Sequence, residues 1–211
     1  MNNTLVYGIG FLAQGLFSAR LVLQWLLSEK AKKVVSPVSY WQISILASYL
    51  LFIYGWFRDD FSIILGQYLS YYVYIWNLNT KQGWKAIPFI LRAFLLLTPL
   101  VLVVYLIFTW DVHGARLFQN DKIPLGMLIF GSLGQIIFTF RFVYQWLYSR
   151  GKGESVFPQT FWILSLVGSF IIVSYGVFRK DPVLILGQSA GFVAYIRNFY
   201  LARKKNKLIL K

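Results

Sequence analysis

The sequence predicts an all-α integral membrane protein with seven transmembrane helices, arranged as two parallel three-helix bundles joined by a linker helix. Three observations carry this expectation: an apolar composition, an internal repeat without gaps and a one-sided distribution of charge. Of the 211 residues, 58% are hydrophobic, 19% aromatic and 13% charged, against roughly 45–50% apolar and 25% charged in a soluble domain. Seven spans of about 20 residues each leave too little chain for a second soluble domain of about 100–150 residues.

Setting Gln14 against Gln135 gives an offset of 121 that holds from Gly10/Gly131 to Asn77/Asn198. Arg20 then meets Arg141, Gln24-Trp25 meets Gln145-Trp146, Pro37 meets Pro158 and Trp41 meets Trp162. Tyr54, Gly55, Phe57, Arg58 and Asp60 meet Tyr175, Gly176, Phe178, Arg179 and Asp181, and Leu65-Gly66-Gln67 meets Leu186-Gly187-Gln188. Such self-similarity defines the organisation of the chain. The expected domains are residues 1–80, the first repeat; 81–123, a linker helix with an outer loop; and 124–211, the second repeat with a basic cytoplasmic tail.

Each repeat holds three apolar stretches. Val6 to Leu27 opens the chain, and it is expected to stay in the mature protein because Met1-Asn2-Asn3 lacks the basic region of a signal peptide. Val38 to Phe57 and Phe61 to Leu78 complete the first repeat. Ile87 to Thr109 has one charge, Arg92, and no counterpart in the repeat. Three spans are an odd number, so this extra crossing returns the second repeat to the orientation of the first. Leu125 to Tyr148, Gln159 to Phe178 and Val183 to Leu201 then repeat the pattern.

Charge placement gives the orientation. With the N-terminus outside, the inner loops and tail hold Lys30, Lys32, Lys33, Lys81, Lys85, Arg150, Lys152, Arg203, Lys204, Lys205, Lys207 and Lys211 against only Glu29 and Glu154. The outer side balances Arg58, Arg116, Lys122, Arg179 and Lys180 with Asp59, Asp60, Asp111, Asp121 and Asp181. This excess of cations places the C-terminus in the cytoplasm and the N-terminus in the periplasm. It also accounts for the net charge of +14 without a nucleic-acid partner. Seven of the eight Trp lie near predicted helix ends, with Trp84 in an inner loop, and are expected as interfacial anchors.

Several chemistries are closed off. There is no cysteine, and the single histidine, His113, lies in a polar stretch beside Asp111 and Gly114, so neither a metal site nor a cofactor is expected. All seven carboxylates fall in predicted loops, and no buried pair is expected for acid–base catalysis or proton relay.

The pattern Arg20-x-x-x-Gln24-Trp25-x-x-Ser28, a basic loop, Pro37-x-x-x-Trp41, Tyr54-Gly55-x-Phe57-Arg58-x-Asp60 and Leu65-Gly66-Gln67 resembles the lipid A biosynthesis N-terminal domain family, here in tandem. That family precedes some lipid-A-disaccharide synthases and is similar to the PQ-loop and SWEET transporters, whose seven helices form two three-helix bundles around a linker helix. The second repeat reads Pro158-Gln159 where the first has Pro37-Val38. The synthase activity is not expected here, because the chain shows no Gly-rich phosphate loop between a strand and a helix; no enzyme is expected.

Polar residues within predicted spans mark the candidate site. At 100° per residue, Gln14, Phe17, Arg20, Gln24 and Ser28 share one face of the first helix, which Gln135, Phe138, Arg141, Gln145 and Ser149 repeat. Gln67, Ser70, Tyr74 and Asn77 form a stripe on the third helix, repeated by Gln188, Gly191, Tyr195 and Asn198. The arginines admit two roles: snorkelling to inner headgroups, or holding a phosphate through parallel N–H bonds. The glutamines and asparagines equally admit interhelical bonding or ligand contact. SWEET-like carriers contact sugars through an asparagine of each third helix, which is what the resemblance implies for Asn77 and Asn198. Trp76 against Arg197 breaks the equivalence of the repeats.

These features imply an inner-membrane protein that binds and translocates an anionic lipid-linked sugar, or presents it to a partner glycosyltransferase. A polyprenyl-phosphate sugar and a lipid A precursor both fit, the latter on the resemblance alone. A facilitator of small soluble sugars, a non-transporting accessory subunit of a membrane glycosyltransferase and a structural scaffold are the alternatives.

Overall fold

The computed structural model describes residues 3–109, 123–151 and 156–209, with backbone alone for 204–209. Asp111, His113, Arg116, Asp121, Lys122, Lys152 and Glu154 lie outside the described residues, as does Lys211. Among those described, the chain is all-helical: α1 (Asn3–Ala31), α2 (Val38–Phe57), α3 (Phe61–Thr80), α4 (Phe89–Phe108), α5 (Leu125–Arg150), α6 (Gln159–Phe178) and α7 (Pro182–Ile209). By length and apolarity, α1, α2, α4, α5 and α6 are able to cross a membrane. The other two, α3 and α7, carry the polar stripes, which lower their hydropathy.

Proline and the repeat set the helix boundaries. Pro37, Pro88, Pro124 and Pro158 each stand immediately before a helix, where the fixed φ fits and the missing N–H costs nothing. Helix α2 ends in a turn that bonds Asp60 N to Gly55 O (3.0 Å) and Asp59 N to Trp56 O (3.2 Å), and α6 ends identically through Asp181 N to Gly176 O (2.9 Å) and Lys180 N to Val177 O (3.1 Å). Asp59 and Lys180 sit at φ 48° and 50° in these turns, positions that usually go to glycine.

The helices pack in the order α1–α2–α3–α5–α6–α7, and α7 returns to α1. Helix α4 stands outside this ring. Pro99, its one buried residue, supplies no N–H to the carbonyl of Leu95. Tyr71 of α3 donates to that carbonyl instead (2.9 Å), and Tyr72 donates to Leu96 O (3.2 Å).

The two contacts between repeats differ. Across α3–α5, Ser62 bonds Ser132 (3.1 Å) and Ser70 bonds Thr139 (3.0 Å), while Trp76 packs edge-on against Trp146 at 5.0 Å. Val183, Phe11, Gly191 and Ser18 occupy the equivalent positions across α7–α1. There, Arg197 Nε donates to Glu29 Oε1 (2.8 Å) and Gln24 reaches Asn198 (3.5 Å).

One end of the ring is closed by reciprocal exchange between repeats. Asp181 accepts from Tyr54 (2.8 Å) and lies 3.8 Å from Arg58, while Asp60 accepts from Tyr175 (3.0 Å) and pairs with Arg179 (3.1 Å). Asp60 also caps α3 through Ile63 N (3.2 Å), and Asp181 accepts from Val183 N and Leu184 N (3.0 and 3.2 Å). Both carboxylates lie outside the helices, as the sequence predicts, yet both are fully buried. The expectation of no buried carboxylate pair is therefore wrong: the two meet tyrosine and arginine from the other repeat rather than solvent. Burial pushes the Asp60 carboxyl up, and the Arg179 guanidinium opposes that shift.

Two stability predictions follow from these contacts. Asp60→Asn removes the charge facing Arg179 and should cost about 3 kcal/mol, or roughly 6–12 °C in melting temperature, whereas exposed Asp59→Asn should be near neutral; equal melting in detergent would refute the clasp. A Cβ on Gly168 would lie 2.9 Å from the Phe138 backbone nitrogen and 2.8 Å from its Cβ. Gly168→Ala should therefore cost about 1–3 kcal/mol by forcing α6 from α5, and an unchanged unfolding midpoint would contradict this.

Candidate functional site

All twelve polar residues singled out in the sequence are buried, and they fall into three groups. Gln14 lies against Gly187, and Gln135 against Gly66, where an added Cβ would collide with the glutamine. Gln67 Oε1 accepts from Ser48 (3.0 Å) and Gln188 Oε1 from Ser169 (3.0 Å). These four glutamines join helices, two of the pairs across the repeats.

A second group ties the α1–α2 and α5–α6 loops to the helix ends. Gln24 Nε2 donates to Ser28 Oγ (2.9 Å) and Val35 O (3.2 Å), and Gln145 Nε2 donates to Ser149 Oγ (3.0 Å). The serines in turn accept from Val35 N (3.1 Å) and Val156 N (3.0 Å). Asn77 Nδ2 donates to Val73 O (2.9 Å) and Asn198 Nδ2 to Ala194 O (2.8 Å), each within its own helix.

The third group is the two arginines with Tyr74 and Tyr195. Arg20 is 2% exposed and Arg141 0%, so neither side chain runs out to the surface as snorkelling requires. Arg20 Cζ lies 4.4 Å from the centre of the Phe17 ring, 4.9 Å from Tyr40, 5.1 Å from Tyr74 and 5.7 Å from Phe142. Arg141 Cζ lies 3.4 Å from Phe138, 4.6 Å from Phe142, 5.3 Å from Phe161 and 5.4 Å from Tyr195. Phe142 is shared, so the two guanidiniums converge on one aromatic cluster.

Hydrogen bonding within that cluster is unbalanced. Arg20 Nη1 donates to Ser44 Oγ and Nη2 reaches Tyr74 (3.5 Å), while its Nε has no acceptor. None of the three Arg141 nitrogens has an acceptor among the described residues. The same holds for the indole nitrogens of Trp41 and Trp162. Trp41 packs 5.9 Å from Phe142 and 6.1 Å from Tyr74, and Trp162 packs 6.3 Å from Tyr195. The cluster is therefore rich in buried donors and poor in acceptors, which is the complement of an oxyanion.

Sequence reading placed Trp41 and Trp162 among interfacial anchors, which is incorrect: they are 0% and 1% exposed, and Trp84 is also buried. Their recurrence four residues after Pro37 and Pro158 was the available signal, because Pro starts each helix and puts Trp on its second turn. Tyr40, Phe142 and Phe161 complete the cluster and were also missed.

The chain matches the Lipid A Biosynthesis N-terminal domain family over residues 9–79 and again over 130–200. It is similar to the Lipid-A-disaccharide synthase of Chlamydia felis (strain Fe/C-56), 30% identical over 213 residues, which cover 96% of this chain and 34% of that protein. The synthase of Chlamydia pneumoniae is likewise 30% identical with the same coverage, and that of Chlamydia trachomatis serovar D is 26% identical over 95% of this chain. No solved structure matches it. The chain spans about a third of the length of the curated relatives it matches. The expectation of no enzyme is overturned by these relatives, each of which carries the name of one, although the chain spans only about a third of their length. A link to lipid A biosynthesis is thus supported, and with both repeats matched the chain belongs to the Lipid A Biosynthesis N-terminal domain family.

Proposed function

We propose that the chain is a membrane-embedded part of a lipid A synthesis system, whose buried guanidinium cluster holds the anionic headgroup of a lipid-linked sugar or lipid A precursor for glycosyl transfer. The observation that carries this reading is the surplus of buried donors on Arg20, Arg141, Trp41 and Trp162. A phosphate accepts several hydrogen bonds at once and neutralises a guanidinium through the paired geometry that arginine favours. A neutral soluble sugar needs no such cation, so the cluster argues against a facilitator of free sugars. The name borne by the relatives supplies the chemical class, a sugar of lipid A.

In this reading all seven helices cross the bacterial inner membrane as 3+1+3, with residues 1–80 and 124–211 as parallel repeats and 81–123 between them. The N-terminus is periplasmic and the C-terminus cytoplasmic, in keeping with the cations of the inner loops. Helices α3 and α7 cross with their polar stripes turned inward, and the burial of Gln67, Asn77, Gln188 and Asn198 supports this. Translocation of the same lipid is a second reading. It is favoured by the closure of the Asp60/Asp181 end of the ring while the arginines lie toward the other.

Both parts are open to test. Cysteines replacing Lys32 and Arg150 should label from one side of the membrane with an impermeant maleimide; labelling from opposite sides would overturn the parallel repeats. Arg20→Gln/Arg141→Gln should weaken binding of a phosphate-bearing lipid A precursor at least tenfold, since a charged hydrogen bond is worth about 1.5–3 kcal/mol. Trp41→Phe/Trp162→Phe should cost about fivefold at about 1 kcal/mol. Unchanged affinity in the double arginine variant, measured in nanodiscs, would end the reading.

A further inference from the structure

The two arginines occupy equivalent positions in the repeats, yet their surroundings differ at residues that the sequence itself fixes. Position 40 is tyrosine beside Arg20, and its equivalent beside Arg141 is Phe161. Position 21 is leucine, and its equivalent is Phe142, the ring shared by both guanidiniums. Arg20 therefore has Ser44 bonded to it, Tyr74 at 3.5 Å and the Tyr40 ring 4.9 Å away. On the other side, Ser165, the equivalent of Ser44, donates to Phe161 O (2.6 Å) as Ser44 donates to Tyr40 O, but it receives no hydrogen bond from Arg141.

Arg141 has four rings around it, the Tyr195 ring among them, but no hydrogen bond to any oxygen of the described residues. Its guanidinium is stacked at 3.4 Å on Phe138, a contact that strengthens when desolvated. That interaction is directed at the face of the cation. It leaves the five in-plane N–H donors without acceptors, and taking a charged group out of water without a partner is strongly unfavourable. Only an acceptor lying in the guanidinium plane offsets this. Phe138, Phe161 and Phe142 hold the plane in position without competing for it.

We propose that Arg141 alone is the phosphate-binding residue, taking one phosphate monoester edge-on in a seat of Phe138, Phe142, Phe161 and Tyr195, while Arg20 already has both its Nη groups engaged by Ser44 and Tyr74 and keeps only Nε without an acceptor. This rests on the anionic-headgroup reading above and narrows it to one cation and one phosphate. The chemistry is common to a lipid phosphate monoester and to free phosphate, and the assay separates them. Tyr40 and Phe161 then set which arginine is open.

The test uses the full chain in phosphatidylcholine nanodiscs, titrated with a phosphatidic acid and, separately, with inorganic phosphate. Arg141→Gln should weaken phosphatidic acid binding at least tenfold, Arg141→Lys by less, and Arg20→Gln by no more than about threefold with a lower melting temperature. Phe161→Tyr, which gives Arg141 the hydroxyl that Tyr40 brings near Arg20, should also weaken binding, with melting unchanged or raised. This variant keeps the test decisive if Arg141→Gln does not fold. Binding of phosphatidic acid but not of inorganic phosphate supports a lipid-borne ligand; equal binding of both supports the seat for phosphate of either source. Equal losses in Arg20→Gln and Arg141→Gln, or a loss in Arg20→Gln only, would overturn the assignment while leaving the anionic-headgroup reading intact. Absence of binding of either phosphate by the unaltered protein would also overturn it. Failure of the lipid A precursor to depend on either arginine would overturn both.

Discussion

Two guanidiniums buried without a carboxylate beside them are the constraint on which the rest of this molecule turns. Cation–π contacts with seven different aromatic residues surround Arg20 and Arg141, and each is worth about 2 kcal/mol when desolvated. Rings accept charge from one direction, whereas a guanidinium also presents donors in its plane. The helix packing provides the rings in full and the in-plane acceptors only in part. Glycine at position 168 shows how closely this is built, because the backbone of Phe138, whose ring faces Arg141, occupies the space a side chain would need.

The buried carboxylates do not relieve that imbalance. Helix α2 carries Ser44, bonded to Arg20, and Tyr54, bonded to Asp181. Ten residues separate them, or about 15 Å at 1.5 Å per residue. Even at an effective dielectric of about 20, opposite charges at that distance interact by roughly 1 kcal/mol, too little to serve as a counter-ion. Asp60 and Asp181 instead close the far end, each pairing with the arginine of the other repeat. The molecule thus separates its charges into an end where they are paired and an end where the donors exceed the acceptors.

Much of this was legible in the sequence because the relevant signals are periodic. The offset of 121 residues and the apolar runs gave helix positions within a few residues except at the end of α7, which runs on to Ile209 past the expected Leu201, and the polar stripes gave twelve side chains that are all buried. Partner exchange was not legible. Arg58 and Asp60 stand two residues apart, yet both meet partners of the second repeat, Asp181 and Arg179. The αL turns were hidden as well, since Asp59 and Lys180 take φ near 50° without glycine, a cost of about 1–2 kcal/mol offset by the bonds of the turn and the clasp. Trp41 and Trp162 misled for a different reason: an indole near a helix end suits an interface, and only packing shows that its ring faces inward.

Duplication also explains why the repeats cannot remain equivalent if they serve one ligand. Related helices meet around Phe142, a single ring shared by both guanidiniums, and a ligand lying there faces both repeats at once. A lipid-linked sugar has no twofold axis, so identical contacts from the two halves would match it on one side only. Several of the substitutions that break the repeat fall where this matters. Leucine against phenylalanine at 21/142 and tyrosine against phenylalanine at 40/161 change what surrounds each arginine, while glutamate against arginine at 29/150 and tryptophan against arginine at 76/197 change the rim. At the rim this yields an ion pair on one seam and edge-on indoles on the other. The packing glycines and glutamines 66/187, 67/188 and 14/135 remain the same, so the frame keeps its symmetry while the surface presented to a ligand does not.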